Sequence, residues 1–309
     1  MADGSVRLNE LQKSTLNLKR IFVSADVRGV KALVISFPAR LCVYDPEFRV
    51  DCLELMDAIR VNSKTEKKII IDLTNLETMS ASGAVALFAQ ITSVQLANDS
   101  NYFTFRLPKH KAMKDQIRAS GLWDAIKSGG SRKLDKLWGS ANKFQSGFKP
   151  DIHLDPTLKK LSEQMELPYK LKEAIGEAML NIIQHAYPGS NNPLPRWWQY
   201  STFVKGKREF IFVISDLGHT IPKSLKSYEL ADSQRILKAM EKGVSSTGLA
   251  HRGKGSDNIK KPVEADAEDK LIVISRNGLY MYTSKNVPPK LEDLGYPYHG
   301  TLVAWSFII

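Results

Sequence analysis

The spacing of apolar residues changes period several times along the chain, and each change marks an element. Leu171, Ala174, Ile175, Ala178, Ile182 and Ala186 recur at the i, i+3, i+4, i+7 spacing of a helix with one apolar face. Pro168 before it and Pro188 after it give that helix a start and a stop. Upstream, Val30 to Phe37 (VKALVISF) is β-rich, and Tyr102 to Leu107 (YFTFRL) alternates as a strand does. Lys67 to Leu73 (KKIIIDL) is a short continuous apolar run of the fully buried kind. Helical stretches fall between these strands. One carries Phe48, Cys52, Leu55, Met56 and Ile59 after Asp45-Pro46, a second runs from Ala84 to Ala97, and a third from Lys109 to Ala119. Strands alternating with helices of this length predict an α/β (α+β) fold.

The second half continues differently. Asp155-Pro156 predicts a helix through Met165, ahead of the helix with the apolar face. Trp197 to Val204 and Glu209 to Ser215 read as strands joined at Lys205-Gly206-Lys207, and a helix is expected from Tyr228 to Lys242. Lys270 to Ser275, Leu279 to Thr283 and Gly300 to Phe307 predict three more strands, the first two meeting in a hairpin at Asn277-Gly278. Residues 1–27 are polar and mixed, the pattern of a short helix or an arm. Gly129-Gly130-Ser131 and the basic, glycine-punctuated segment after it read as a linker. The expected division is an arm over 1–27, a first α/β domain over 28–128, a basic linker over 129–150 and a second domain over 151–309.

Composition agrees with packed domains. A chain of 309 residues with 43% hydrophobic and 25% charged content is in the globular range and long enough for about two domains. The net charge of +11 is uneven, with ten Lys/Arg against three Asp/Glu from Lys109 to Lys149. Such a stripe can face nucleic acid or an acidic protein, and solvated lysines serve solubility equally well. Aromatics do not interleave with the bases, which weighs against a single-strand nucleic-acid binder. The two cysteines, Cys42 and Cys52, form no CxxC pair and read as reduced core thiols of a cytoplasmic protein. The polar N-terminus has no basic-then-apolar signal, and no apolar run approaches the ~20 residues of a membrane span.

Four stretches carry candidate chemistry. Glu177, Asn181 and His185 lie four apart and so stack along one side of their helix. An amide oxygen can ligand a hard cation such as Mg2+, and a carboxylate one turn away can take a proton from an attacking hydroxyl. The same residues would also serve as the solvated stripe of an ordinary amphipathic helix. Asp216-Leu217-Gly218 ends a strand, where a carboxylate can accept from an exocyclic amine while the backbone passes close to a flat base. It also fits a common turn. Ser245 to Ile259 (SSTGLAHRGKGSDNI) offers Gly248, Gly253 and Gly255 to wrap phosphates, with Arg252 and Lys254 adding charge. At Ser80-Ala81-Ser82-Gly83 a serine either caps a helix or, exposed at a helix N-terminus, accepts a phosphoryl group.

Two resemblances join these stretches. The segment IIIDLTNLETMSASGAVALFAQI resembles the STAS domain of anti-anti-sigma factors, whose Asp-Ser-Ser-Gly turn is phosphorylated on its second serine. Ser82 stands at that position, and Ser80 replaces the aspartate. Residues 151–309 resemble the GHKL ATPase domain, the Bergerat fold of gyrase and histidine kinases, and within it the anti-sigma-factor serine kinases. The matching features are Glu-x-x-x-Asn on a helix, Asp-x-Gly after a strand, a glycine-rich lid, and Gly300-Thr301 opening the last strand. Thr220 stands where that family usually has a second glycine, and Ser256 where it has leucine.

The resemblance implies ATP and Mg2+ as cofactors, with Glu177 as general base and Asn181 as the metal ligand. It further implies Asp216, Gly218 and Thr301 at the adenine, and Arg252, Gly253, Lys254 and Gly255 at the phosphates. The expected function is that of a cytoplasmic bacterial regulator. It would transfer the γ-phosphate to a serine, its own Ser82 included, within one chain or across a homodimer. The modified surface would then choose a sigma-factor-like or STAS-type protein partner. Two alternatives remain: a catalytically weak, nucleotide-gated binding module, and a nucleic-acid-associated regulator acting through the basic linker.

Overall fold

The computed structural model describes residues 22–27, 30–65, 68–188, 195–204, 206–225, 229–241 and 255–309. Its first half runs β1 (Phe22–Val27), β2 (Val30–Ser36), β3 (Arg40–Leu41), α1 (Arg49–Asn62), β4 (Ile69–Asp72) and β5 (Thr78–Met79). It continues through α2 (Ala81–Ala97), β6 (Phe103–Arg106), α3 (Lys111–Ala119) and α4 (Leu122–Ile126). The second half begins with α5 (Ser131–Trp138), β7 (Phe144–Gly147), α6 (Pro150–Ser162), α7 (Leu171–Asn181), β8 (Trp197–Phe203) and β9 (Glu209–Asp216). It ends with α8 (Ile221–Ser224), α9 (Asp232–Met240), α10 (Gly255–Lys260), β10 (Lys270–Tyr282) and β11 (Lys290–Ile308). The fold is mixed α and β with both parallel and antiparallel pairing. Among the described residues no helix is long and apolar enough to cross a membrane.

The first sheet has the order β1-β2-β4-β6, with β2, β4 and β6 parallel and β1 antiparallel at the edge. Its central register aligns Ile35 with Ile71 and Ile71 with Phe105. The second sheet, β10-β11-β9-β8-β7, is antiparallel throughout. One face of it is covered by α6 and α7, whose Leu161, Leu171, Ile175 and Met179 share a core with Trp197, Phe212 and Trp305.

The other face of the second sheet receives α2. The sequence of that helix, ASGAVALFAQITSVQLA, has no charged residue, and a helix apolar all round must be buried all round. Every residue from Ser82 to Thr92 is buried. On one side Gly83 meets the chain at Leu41, where a Cβ would lie 2.5 Å from the carbonyl oxygen. On the other, the Trp198 indole N–H donates to the Thr92 hydroxyl at 2.7 Å, and that hydroxyl donates to the Phe88 carbonyl. Phe144 sits edge-on to Phe88 and stacks on Tyr200 with ring centres 3.9 Å apart. A second tie runs from α1 to β11. Arg49 holds Glu292 at 2.8 Å and the Leu294 and Asp293 carbonyls, while Asp57 accepts from Tyr296 and pairs with His299 at 2.9 Å. Burial works to raise the Asp57 carboxyl, but hydrogen bonds from His299, Tyr296 and Arg60 outweigh it and hold the group well below the usual carboxylate range.

Four expectations differ from what is observed. Residues 22–27, expected within an arm, form an edge strand that pairs with β2. Residues 129–150, expected as a linker, carry α5 and β7. Leu134 and Leu137 are buried beneath α5, and all four residues of β7 are buried as the edge of the second sheet. Their polar groups find partners there: Ser146 donates to the Trp197 carbonyl at 2.7 Å, and Gln145 accepts from Gln199. Polarity therefore resembled linker where it was paired strand. The helix expected to open at Asp155-Pro156 instead begins at Pro150, a favoured first position, and contains Pro156. Asn277-Gly278 makes no hairpin; it is an irregularity inside the continuous β10, with Arg276 at φ 54° and shifts in register on either side. The start of α9 presses on it. The Asn277 N–H donates to Asp232 at 3.1 Å, and a Cβ on Gly278 would lie 2.6 Å from the Ser233 nitrogen.

Because both sheets share the core around α2, the two halves are expected to unfold in one transition. Phe88→Ala should cost about 3–5 kcal/mol. Thr92→Val, which leaves the Trp198 N–H buried without its acceptor, should cost about 1–3 kcal/mol. Denaturant melts followed by tryptophan fluorescence and by far-UV circular dichroism should coincide for the parent and both variants. Separate transitions, with only one displaced by the substitutions, would contradict the shared core.

Candidate functional site

Helix α7 buries Leu171, Ala174, Ile175, Ala178 and Met179, and the turn after it buries Ile182 and Ala186, so the apolar face read from the spacing is the packed one. Glu177, Asn181 and His185 are half-buried on its other side. The helix does not run evenly to Tyr187. After Asn181 it widens into a π-turn over Ile182–Ala186, a deformation common near functional sites.

The end of that turn is seated on the loop after β9. The Ala186 carbonyl accepts from the His219 N–H, and a Cβ on Gly218 would lie 2.1 Å from the same oxygen, so a side chain at 218 would force the two segments apart. The Tyr187 hydroxyl accepts from the Leu217 N–H at 3.2 Å and donates to the Arg196 carbonyl at 2.8 Å. The helix carrying Glu177 and Asn181 is thereby fixed to the segment carrying Asp216.

Asp216 closes β9 and is only 2% exposed. Its Oδ1 accepts from the Gly218 N–H at 2.8 Å, and the Thr301 N–H also bonds the carboxylate. Burial pushes the carboxyl up to about 7, and the two N–H bonds oppose that rise. From the neighbouring strand, Gly300 at φ 100° passes so close that a Cβ would lie 2.1 Å from the Asp216 carbonyl oxygen. The Thr301 hydroxyl is 3.0 Å from the Ser275 hydroxyl, which also lies 3.1 Å from the Gly300 carbonyl oxygen. Ser215 is 2.6 Å from the Tyr298 hydroxyl and 2.9 Å from the Thr301 carbonyl oxygen.

On the far side of α7, Asn258 of α10 donates to Glu177 at 3.5 Å. Gly255 opens α10, so the segment expected to reach phosphates ends against the helix carrying Glu177 and Asn181. Gly248, Arg252, Gly253 and Lys254 lie outside the described residues. Asp216, Gly218 and Thr301 are thus brought together, and the Asp216 loop receives the end of the helix that bears Glu177 and Asn181. Tyr187, Ser275, Tyr298 and Asn258 support this arrangement and carry no signal of their own in the sequence. A cleft of about 400 Å³ lies elsewhere, between α10 and the β10–β11 turn, lined by Asp257, Lys260, Glu264, Tyr282 and Lys285. It contains none of the residues singled out from the sequence.

Ser82 stands apart from this end. It is 4% exposed, under the start of α2, and the Ser80 hydroxyl accepts from the Gly83 N–H at 3.0 Å. Ser80 is therefore the helix cap, and the Ser82 hydroxyl is not at the surface in this conformation.

Chemically, the buried Asp216 carboxylate beside two glycines can accept from an amine on a flat ligand. The half-buried carboxylate and carboxamide of α7 can approach a cation and a hydroxyl. Two substitutions test the geometry. Gly218→Ala should destabilise by about 1–3 kcal/mol through overpacking against Ala186. Asp216→Asn should act through pH. A carboxyl raised in the fold costs nothing below its unfolded value near 4; the cost builds as pH rises from there and levels off above about 7, where the folded group also ionises. The variant should thus match the parent near pH 4 and exceed it at pH 8, by at most about 4 kcal/mol. Thermal melts at the two pH values decide this, and a variant no more stable at pH 8 would contradict it.

Against known proteins, no family model, no curated protein and no solved structure matches this chain.

Proposed function

We propose that the chain is an ATP-binding regulatory protein of the serine-kinase type, with residues 151–309 as a GHKL-like ATPase unit and residues 28–128 as a STAS-like unit. The observation that carries this reading is the seating of the α7 turn on the Asp216–Gly218 loop, with Gly300-Thr301 pressed against the same aspartate. This layout supports adenine at Asp216, with its exocyclic amine donating to the carboxylate and Thr301 assisting. Asn181 would hold Mg2+, which supplies charge neutralisation at the phosphates when bound. Glu177 would take the proton of the attacking hydroxyl, Gly218 would give the base close backbone approach, and Arg252, Gly253, Lys254 and Gly255 would flank the phosphates. The residues present fit the group: a buried acceptor at Asp216, and a half-buried carboxylate–carboxamide pair on the adjoining helix.

The chain's own part in transfer is to position, to exclude water around Asp216, and to hold a base at Glu177. The partner is a protein, a sigma-factor-like or STAS-type regulator, met by one chain or by a homodimer.

A second reading, a nucleotide-gated binding module with little turnover, is favoured by one observation. Ser82 is buried near the start of α2, so modification there requires that end of the helix to loosen first. The purified protein incubated with Mg-ATP and analysed by intact-mass and peptide mass spectrometry separates the two. A phosphate on serine, with Glu177→Ala slowing its appearance by about 10²–10⁴-fold, supports transfer. Tight ATP binding by calorimetry with no phosphate gained, unaffected by Glu177→Ala, supports the gate. No ATP binding at all removes both.

A further inference from the structure

Among the described residues, the Thr220 hydroxyl has no hydrogen-bond partner. The residue is 5% exposed, and its Oγ1 is buried. It stands at the N-cap of α8 with the extended backbone (φ −80°, ψ 151°) in which a threonine usually accepts from the second or third helical N–H. Here both routes are closed. The second helical residue is Pro222, which has no N–H, and the Lys223 N–H is taken by the Thr220 carbonyl at 3.0 Å. Buried hydroxyls without partners are rare because they lose their water and gain nothing in return.

The backbone on each side is pinned to the two elements that frame Asp216. The His219 N–H donates to the Ala186 carbonyl at the end of the α7 turn. The Ile221 N–H donates to the Ser275 hydroxyl at 3.0 Å, and that hydroxyl is itself 3.0 Å from the Thr301 hydroxyl. The Thr220 backbone is therefore held on the loop that starts at Asp216, between the helix end and Thr301.

Resting on the nucleotide reading above, we infer that the Thr220 hydroxyl is a base-contacting group that donates to the N1 nitrogen of a 6-aminopurine whose amine is bound by Asp216. The pair then reads one edge of the ring: the carboxylate accepts at the amine, and the hydroxyl donates to the neighbouring acceptor. Guanine presents the opposite order on that edge, with an oxygen at position 6 and a donor at N1, so Asp216 would face an acceptor instead of an amine. A site built to hydrogen-bond a ring atom rejects the analogue lacking it, because its own buried group is left unpaired.

The test measures dissociation constants by calorimetry for ADP and for 1-deaza-ADP, which keeps the amine and lacks N1. Wild-type protein is compared with Thr220→Val and Thr220→Ser. The expected results are about tenfold weaker binding of 1-deaza-ADP than of ADP by the wild type, and about tenfold weaker ADP binding by Thr220→Val. Thr220→Ser should bind as the wild type does, and Thr220→Val should bind the two nucleotides equally. Without ligand, Thr220→Val should melt no lower than the wild type, since it removes an unpartnered hydroxyl. Equal affinity of the wild type for the two nucleotides overturns the inference and leaves the nucleotide site standing. So does an equal loss for both nucleotides in Thr220→Val, which would mean that the hydroxyl serves a bound water or the shape of the loop. Wild-type protein that binds neither nucleotide overturns the nucleotide reading, and this inference with it.

Discussion

The structure depends on the burial of α2 from all sides. A seventeen-residue helix without a charge cannot lie on a surface, and one sheet is not enough to cover it. It is covered by its own α/β half on one side and by β8 and β9 of the second sheet on the other. The second sheet is in turn buried on both faces, by α2 on one and by α6 and α7 on the other. The order of layers follows from that single requirement. Polar atoms caught in the joint are paired within it, as the Trp198 indole and the Thr92 hydroxyl are, because an unpartnered donor there would cost more than the contact returns.

The candidate site is built from close backbone approaches more than from side-chain pairs. Gly218 lets the Asp216 loop reach the carbonyl of Ala186, and Gly300 lets β11 reach the carbonyl of Asp216. Each approach leaves no space for a Cβ, so three elements distant in sequence converge within a few ångströms of one carboxylate. That carboxylate pays in solvation for its position, which is why burial pushes it up to about 7 despite two N–H donors. The strand that carries Thr301 also carries Tyr296 and His299, which meet Asp57 of α1. The site and the first half are thus attached to the same stretch of β11.

Much of this could be read from the chain. The apolar spacing of Leu171, Ala174, Ile175 and Ala178 identified the packed face of α7, and β-rich runs located β2, β4, β6, β8 and β9 to within a few residues. Asp216 and Gly218 were legible because a carboxylate at a strand end followed by glycine is a local pattern. The segments that misled were those whose polarity is satisfied at a distance. β7 has a sequence, FQSG, that looks like loop until Trp197 and Gln199 supply its partners. Asn277-Gly278 carries the local signature of a hairpin, and only the approach of α9 explains why a glycine is needed inside a continuous strand.

By itself, then, the sequence determined the period of each strong element and the residue types available for chemistry, since both depend on neighbours one to four positions away. The tertiary structure alone decided that Ser80 caps and Ser82 is buried, and that the Asp216 loop is clamped between Ala186 and Gly300. It also decided that Thr220, an ordinary helix cap by its dihedral angles, caps no N–H of its helix. Each of those outcomes turns on which atoms meet across long separations in the chain, and no local pattern encodes that distance.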